Sequence, residues 1–362
     1  MYAQEFTSRV HRTGTLSVAL GLVTALQGIA MFFGLRDLLP AESMEAIVVP
    51  PAGAAVIAVA FWFVWHWLLS VVPLAHDPAK RSVGLLLGIV LTAISIGTTS
   101  WFIASAIGGS RAVQAHMNAY LADASKQLGA LNANAAAEQS LTGLISEIAA
   151  GWRGVAEGEA KYGTVSGKVG FGPRADSLRR SAEAMDSLQS SVNDRFKAYE
   201  EERGRADALL ADITKLANSP AASTVEGQSA FAALAARLYQ GFAGMDHITA
   251  LPLIEQAGRV NVEEKGGVIA IRDEAQTRRL YESARRIKTD RRPVDARTYM
   301  PTSKAVATLD YAGSVPGAWI VGVAFDLLPV IMLVLLMVAY AEARTPYEPR
   351  RPFAVVGGRE AA

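Results

Sequence analysis

The chain contains no cysteine. That removes disulfides, thiolate zinc sites and cysteine nucleophiles together. Histidine is scarce as well. The five residues His11, His66, His76, His116 and His247 are too scattered for their spacing to define a metal site or a catalytic base. Asp246 and His247 are adjacent, which is not ligand spacing, and His116 lies on an Ala-rich helical stretch where it reads as a surface or packing residue. Net charge is nearly absent too: 35 Lys and Arg against 34 Asp and Glu leave +1, so nucleic acid is not an expected partner. No G-x-S-x-G and no nucleophile–base pair is present. The expectation is a non-enzyme, with no catalytic residue, no metal and no cofactor.

One segment imitates a nucleotide site. "GTVSGK" at 163–168 resembles a phosphate loop, whose spacing is G-x-x-x-x-G-K-[ST]. Here only three residues separate Gly163 from Gly167, and Val169 follows Lys168. The stretch reads instead as a glycine-rich turn between two antiparallel helices, and no nucleotide partner is expected.

What the chain has is long apolar runs. Four of them, 15–35, 48–72, 83–106 and 318–340, are each near the roughly 20 residues a helix needs to cross a bilayer. The first follows a basic start but has no small-x-small cleavage site, so it reads as an uncleaved anchor. Arg9, Arg12, Lys80, Arg81, Arg344, Arg350, Arg351 and Arg359 all fall on one side of such a four-span layout. The short opposite loop "RDLLPAESMEA" has one arginine and three acids.

The expected fold class is mostly α: a polytopic membrane protein with four transmembrane helices (3+1) and a periplasmic helical hairpin or bundle between spans three and four. The expected division is 1–14 cytoplasmic, 15–108 three spans, 109–316 periplasmic, 317–341 the fourth span and 342–362 a short cytoplasmic tail. The expected location is a bacterial inner membrane with both termini cytoplasmic.

Within 109–316, residues 176–217 carry a seven-residue register. Leu178, Met185, Val192, Tyr199, Ala206 and Ile213 form one series, and Ala182, Gln189, Phe196, Arg203, Leu210 and Ala217 the other. That pattern predicts a coiled-coil-like helix interrupted at Gln189 and Arg203. Upstream, Met117, Leu121, Ala124, Leu128, Leu131, Ile145 and Trp152 predict a helix rising from span three for about 45 residues, roughly 70 Å. Further helices follow in "SAFAALAARLYQGFAGM" and "DEAQTRRLYESARRIKTD", with "EEKGGVIAIR" a short strand or a helix start. Arg278, Arg279, Arg285, Arg286, Arg291 and Arg292, with Lys288 and Arg297, make the densest charged run. It is a solvated face or a contact for anionic lipid or an acidic partner.

The polar residues inside the spans are the remaining signal. Asp326 lies in the fourth run, and an aspartate at a helix centre costs about 2.5–3.5 kcal/mol on insertion scales. It sits roughly 12 Å below the start of its span by helical rise. Gln27, Ser95 and Thr98 fall near the same level, and no Lys or Arg lies within any span. This predicts an intramembrane polar cluster of Asp326, Gln27, Ser95 and Thr98, with Pro329 as a helix kink. His66, among Trp62, Trp65 and Trp67, belongs to an interfacial aromatic belt. Gly84, Gly88 and Gly97 in span three, and Gly21 and Gly28 in span one, predict close helix packing.

Three functions follow in order of expectation. The first is a structural or interaction protein that self-associates as a homo-oligomer or docks another membrane or periplasmic protein, with membrane lipids around it. The second is an ion-coupled subunit, motor- or channel-like, using Asp326. The third is a sensor subunit signalling through a partner.

Overall fold

The computed structural model describes the backbone of residues 2–38, 44–75, 77–164, 166–170, 172–263, 268–295 and 297–344. Among these residues the regular structure is helical: α1 (Tyr2–Leu38), α2 (Met44–Val71), α3 (Pro78–Gln139), α4 (Leu141–Tyr162), α5 (Pro173–Ala217), α6 (Val225–His247), α7 (Leu251–Glu263), α8 (Val268–Asp290), α9 (Lys304–Asp310) and α10 (Pro316–Arg344). Four are long and apolar enough to cross a membrane: α1 over Ser17–Arg36, α2 within Ile47–Leu74, the first part of α3, and α10 over Pro316–Ala339. Two compact units form, one from Met1–Ala115 with Thr302–Ala362, the other from His116–Pro301. The strand-or-helix segment "EEKGGVIAIR" lies partly outside the described residues; from Val268 on it is helix. The arginines at 350, 351 and 359 also lie outside them.

The first unit buries a polar cluster and turns many apolar side chains outward. Thr24, Gln27, Thr92, Ser95, Thr99, Ser100 and Asp326 are buried, whereas Val18, Leu22, Leu26, Val83, Leu86 and Ile320 are each more than 49% exposed. In water so much exposed apolar surface would aggregate; against lipid tails it is the stable arrangement. On α1 the inward stripe is Leu20, Thr24, Gln27 and Met31, and on α3 it is Thr92, Ser95 and Thr99, both at the three-and-four spacing of one helix face. Trp65, Leu68 and Leu69 of α2 fill one end of this bundle with Leu20 and Leu333. At the other end, Met31, Ala54 and Phe102 meet. Residues 302–315 belong with this unit: the Trp101 indole N–H donates to the Ala305 carbonyl at 2.7 Å, and Ala305, Ala307 and Thr308 are buried.

In the second unit α3 and α4 are nearly one rod, broken only by a turn at Ser140. Gly163 then takes left-handed backbone, φ 60°, a conformation with little steric cost only for glycine, and ends α4. Buried Glu159 accepts the Ser166 N–H with both carboxylate oxygens, at 2.9 and 3.2 Å, so an internal anion already sits against this loop's backbone.

α5 then returns along α4. Leu178, Met185, Val192, Tyr199, Ala206 and Ile213 are all buried, while Gln189, Phe196, Arg203 and Leu210 are only partly so. The core at this end is Ile145, Ile148, Trp152, Met185, Ile254 and Leu280, contributed by α4, α5, α7 and α8. Glu138 caps the arrangement: it accepts the Thr249 hydroxyl and the Ala250 N–H, both at 2.9 Å, at the start of α7, where the helix N-terminus favours negative charge.

Residues 291–295 and 297–301 have no regular secondary structure and lie along α3. Several of their backbone groups are met by α3 side chains. Asn134 donates to Arg292 C=O at 3.0 Å and accepts its N–H at 3.1 Å. Gln127 donates to Asp295 C=O, Tyr120 to Arg297 C=O at 3.3 Å, and a His116 ring nitrogen meets Met300 C=O at 3.1 Å. Tyr120, Phe231, Tyr239 and Tyr299 cluster beside this strap, with ring centroids 4.4 to 5.8 Å apart. Extended chain advances about 3.3 Å per residue, so a short strap spans a long distance. The arginine run on α8 is therefore close in sequence to Pro301 but far from it along the unit.

Tyr199 gives this unit a measurable alkaline limit. It is buried, its hydroxyl donates to Asn132 at 2.9 Å, and burial pushes its pKa up from 10.0 to about 12, against the opposing pull of Arg203. A tyrosine whose folded pKa is raised stabilises the fold fully below its unfolded pKa and loses that contribution as pH rises through the folded one. Stability is thus expected to fall between about pH 10 and 12, and Tyr199→Phe is expected to flatten that fall. Helical circular dichroism against pH, with tyrosinate absorbance read alongside, checks it.

Candidate functional site

Asp326 is 1% exposed, buried in the first unit between α10, α1 and α3. Its Oδ1 accepts from Gln27 Nε2 at 2.7 Å, from Ser95 Oγ at 2.9 Å and from Thr99 Oγ1 at 2.5 Å. Its Oδ2 accepts from Ser100 Oγ. All four donors are uncharged. Three of the donors converge on Oδ1 and one reaches Oδ2. Ser95 and Thr99 also lie 3.0 Å apart, hydroxyl to hydroxyl, and Thr99 Oγ1 is 2.8 Å from Ser95 C=O. Each hydroxyl has one proton to give, so the cluster holds alternative donor arrangements at fixed heavy-atom positions.

Of the residues expected by sequence, Gln27 and Ser95 reach Asp326 and Thr98 does not. The Thr98 hydroxyl turns back to the Ile94 carbonyl at 2.9 Å, and the residue is exposed. Thr99 and Ser100 take the role instead. Depth along the helix, which places Thr98 near Asp326, is only half of the geometry. A helix also turns by about 100° per residue. Ser95, Thr99 and Ser100 share one inward sector, and Thr98 and Gly97 each lie beyond one of its edges. The polar residues Thr92, Ser95 and Thr99, at the three-and-four spacing of one helix face, are the sequence signal that could have found Thr99.

The approach of α10 to α3 depends on Gly322, one turn before Asp326 on the same face. A Cβ there would stand 2.7 Å from Ser100 O and 3.0 Å from Ser100 Cα, contacts with backbone that cannot swing aside. Gly322→Val is therefore expected to separate the two helices, break the Ser100 and Thr99 bonds to Asp326, and lower the unfolding temperature in detergent markedly. Gly313→Val, whose Cβ would meet open space, is the control. α10 continues as helix through Pro329 to Arg344. Pro329 has no N–H to give the Phe325 carbonyl one turn back.

The glycines expected at helix seams divide. A Cβ on Gly84 would collide with Val72, one on Gly28 would stand 3.0 Å from Ala58 Cβ, and one on Gly88 3.4 Å from Leu333. These three sit at close approaches. Gly21 is looser, with Trp62 Nε1 at 3.9 Å, and Gly97 faces open space, so it makes no seam. His66 stacks on Trp62, ring centroids 5.1 Å apart, and its Nδ1 is 3.4 Å from Ser17 Oγ.

In the second unit Arg278, Arg279, Arg285, Arg286 and Arg292 are exposed, whereas Arg291 is half-buried and pairs with Asp246 at 2.9 Å. Lys288 reaches Glu255 at 3.1 Å. Arg291 is thus a fastener between α6 and the strap, not part of the open basic face.

No protein-family model matches the chain, and no curated protein or solved structure matches it significantly.

Proposed function

We propose that the chain is a structural or interaction protein of a bacterial inner membrane, with both termini cytoplasmic and residues 109–316 periplasmic. Its four spans anchor a helical domain that self-associates or docks a membrane or periplasmic partner. The supporting observation is the setting of Asp326: a deeply buried carboxyl group that meets four uncharged donors on two neighbouring spans. Used this way, it stitches α10 to α1 and α3 and makes the membrane part a firm anchor. The long paired helices α4 and α5 turn their outer faces to the surroundings, the extended surface that docking needs.

The test is the native mass of the complex extracted directly from its own membrane, with every co-purifying chain identified. Several copies of this chain, or a stoichiometric second protein, are the expected result. A lone chain that carries ions across a sealed vesicle would overturn the reading in favour of an ion-coupled subunit.

A further inference from the structure

A cavity of about 570 Å³ opens at one end of the first unit, lined by Phe33, Arg36, Ser105, Ala106 and Lys304. Three separate elements meet there: the last turn of α1, the middle of α3 and the first residue of α9. Among the described residues neither Arg36 nor Lys304 has an ion-pair partner. Two cations lining one cavity repel each other. Ser105 is 3% exposed, lines the same cavity, and its hydroxyl makes no hydrogen bond among the described residues. A hydroxyl lining the cavity can donate to a ligand acceptor.

Lys304 is held there by construction. The space over Gly109 receives its stem: a Cβ on Gly109 would come within 2.6 Å of Lys304 Cβ. The Trp101 indole fixes the next residue through the Ala305 carbonyl. Ser303 accepts the Val306 N–H at 3.2 Å and sets the start of α9. The third lining group, Phe33, is 53% exposed and continues an outward apolar track along α1 through Ile29 and Leu26, 55% and 50% exposed.

We propose that this cavity binds the phosphate of an anionic phospholipid. The Arg36 guanidinium and the Lys304 ammonium grip the phosphate oxygens, Ser105 Oγ donates a further hydrogen bond, and an acyl chain runs down the Phe33 track. Guanidinium matches phosphate geometry with paired N–H groups, and the ammonium supplies a compact second charge. A free phosphate would satisfy the polar end alone; the contiguous apolar track is what selects an amphiphile.

The full chain in detergent, mixed with phosphatidylglycerol or with phosphatidylcholine of the same acyl chains, tests this by native mass spectrometry. Retained phosphatidylglycerol in preference to phosphatidylcholine is expected. The double variant Arg36→Gln/Lys304→Gln is expected to lose that retention at least about tenfold, and Ser105→Ala to weaken it less. The charge-preserving pair Arg36→Lys/Lys304→Arg should hold the lipid, which separates loss of charge from loss of fold. Equal retention of the two lipids by the native chain, or undiminished retention by a double variant with native unfolding temperature, would overturn the site. Inorganic phosphate is the second arm: if it displaces phosphatidylglycerol at equal concentration, the amphiphile assignment falls and the cavity takes free phosphate.

Discussion

Asp326→Leu is expected to unfold the membrane unit at a markedly lower temperature in detergent, while Asp326→Asn is expected to cost far less. The leucine removes the shared acceptor of Gln27, Ser95, Thr99 and Ser100 and leaves four donors in a site closed to water. Stranded polar groups cost about 1–3 kcal/mol each in proteins generally. Hydrogen bonds between membrane helices measure less, about 0.6 and at most about 1.7 kcal/mol, because the separated helices find other partners. The hydroxyls here can also turn to backbone carbonyls one turn back, as Thr99 is already placed to do. A total loss of roughly 2–4 kcal/mol follows for the leucine variant.

Asparagine keeps the shape and one oxygen. That oxygen can still serve Gln27, Ser95 and Thr99, while its amide faces Ser100, whose hydroxyl can rotate from donating to accepting. A cost of about 1 kcal/mol is expected there. The contrast between the two variants separates the roles of the carboxylate. If it is a fastener, activity and assembly follow stability, and asparagine retains both. If its charge carries an ion, asparagine abolishes function while the complex still assembles. Thermal unfolding of both variants, beside the native mass of each complex, distinguishes the cases.

The second large effect lies in the other unit. Trp152→Ala is expected to destabilise residues 116–301 by about 3–5 kcal/mol, the range for deleting a fully packed aromatic core residue. Trp152 is 3% exposed and belongs to the cluster where α4, α5, α7 and α8 meet, beside Ile148, Met185, Leu280 and Ile254. Few small movements can close the gap, because it is bounded by four helices rather than by a loop. The loss should leave the spans in place. Hydrogen exchange is the informative measurement: faster exchange across α4, α5, α7 and α8 with unchanged protection around Asp326 is expected. Equal loss of protection in both units would mean that they unfold together, contrary to their division into separate compact units.

Much of this architecture is legible in the chain itself. The four apolar helices announce themselves by length, since each must carry its own hydropathy whatever it touches. The heptad series through Leu178, Val192, Tyr199 and Ile213 is likewise a one-dimensional pattern, and those side chains are buried. Asp326, Gln27 and Ser95 could be brought to one level because rise along a helix is a constant.

What the chain did not disclose are properties of two or more segments at once. Thr99 and Ser100 replace Thr98 because of helix rotation and the side from which α10 approaches. Gly322 looks like any membrane glycine until the Ser100 backbone stands against it. The strap over 291–295 and 297–301 has no period at all, as its hydrogen bonds go to side chains spaced along α3 and not to a neighbouring strand. Arg36 and Lys304 are far apart in sequence and unremarkable until α1 and α9 bring them to one cavity. Sequence alone thus determined which segments are helices and which of their faces are apolar, because both depend on local spacing. Tertiary structure decided which polar groups meet, because a hydrogen bond acts over about 3 Å and the rotation and approach of whole helices decide which groups come that close.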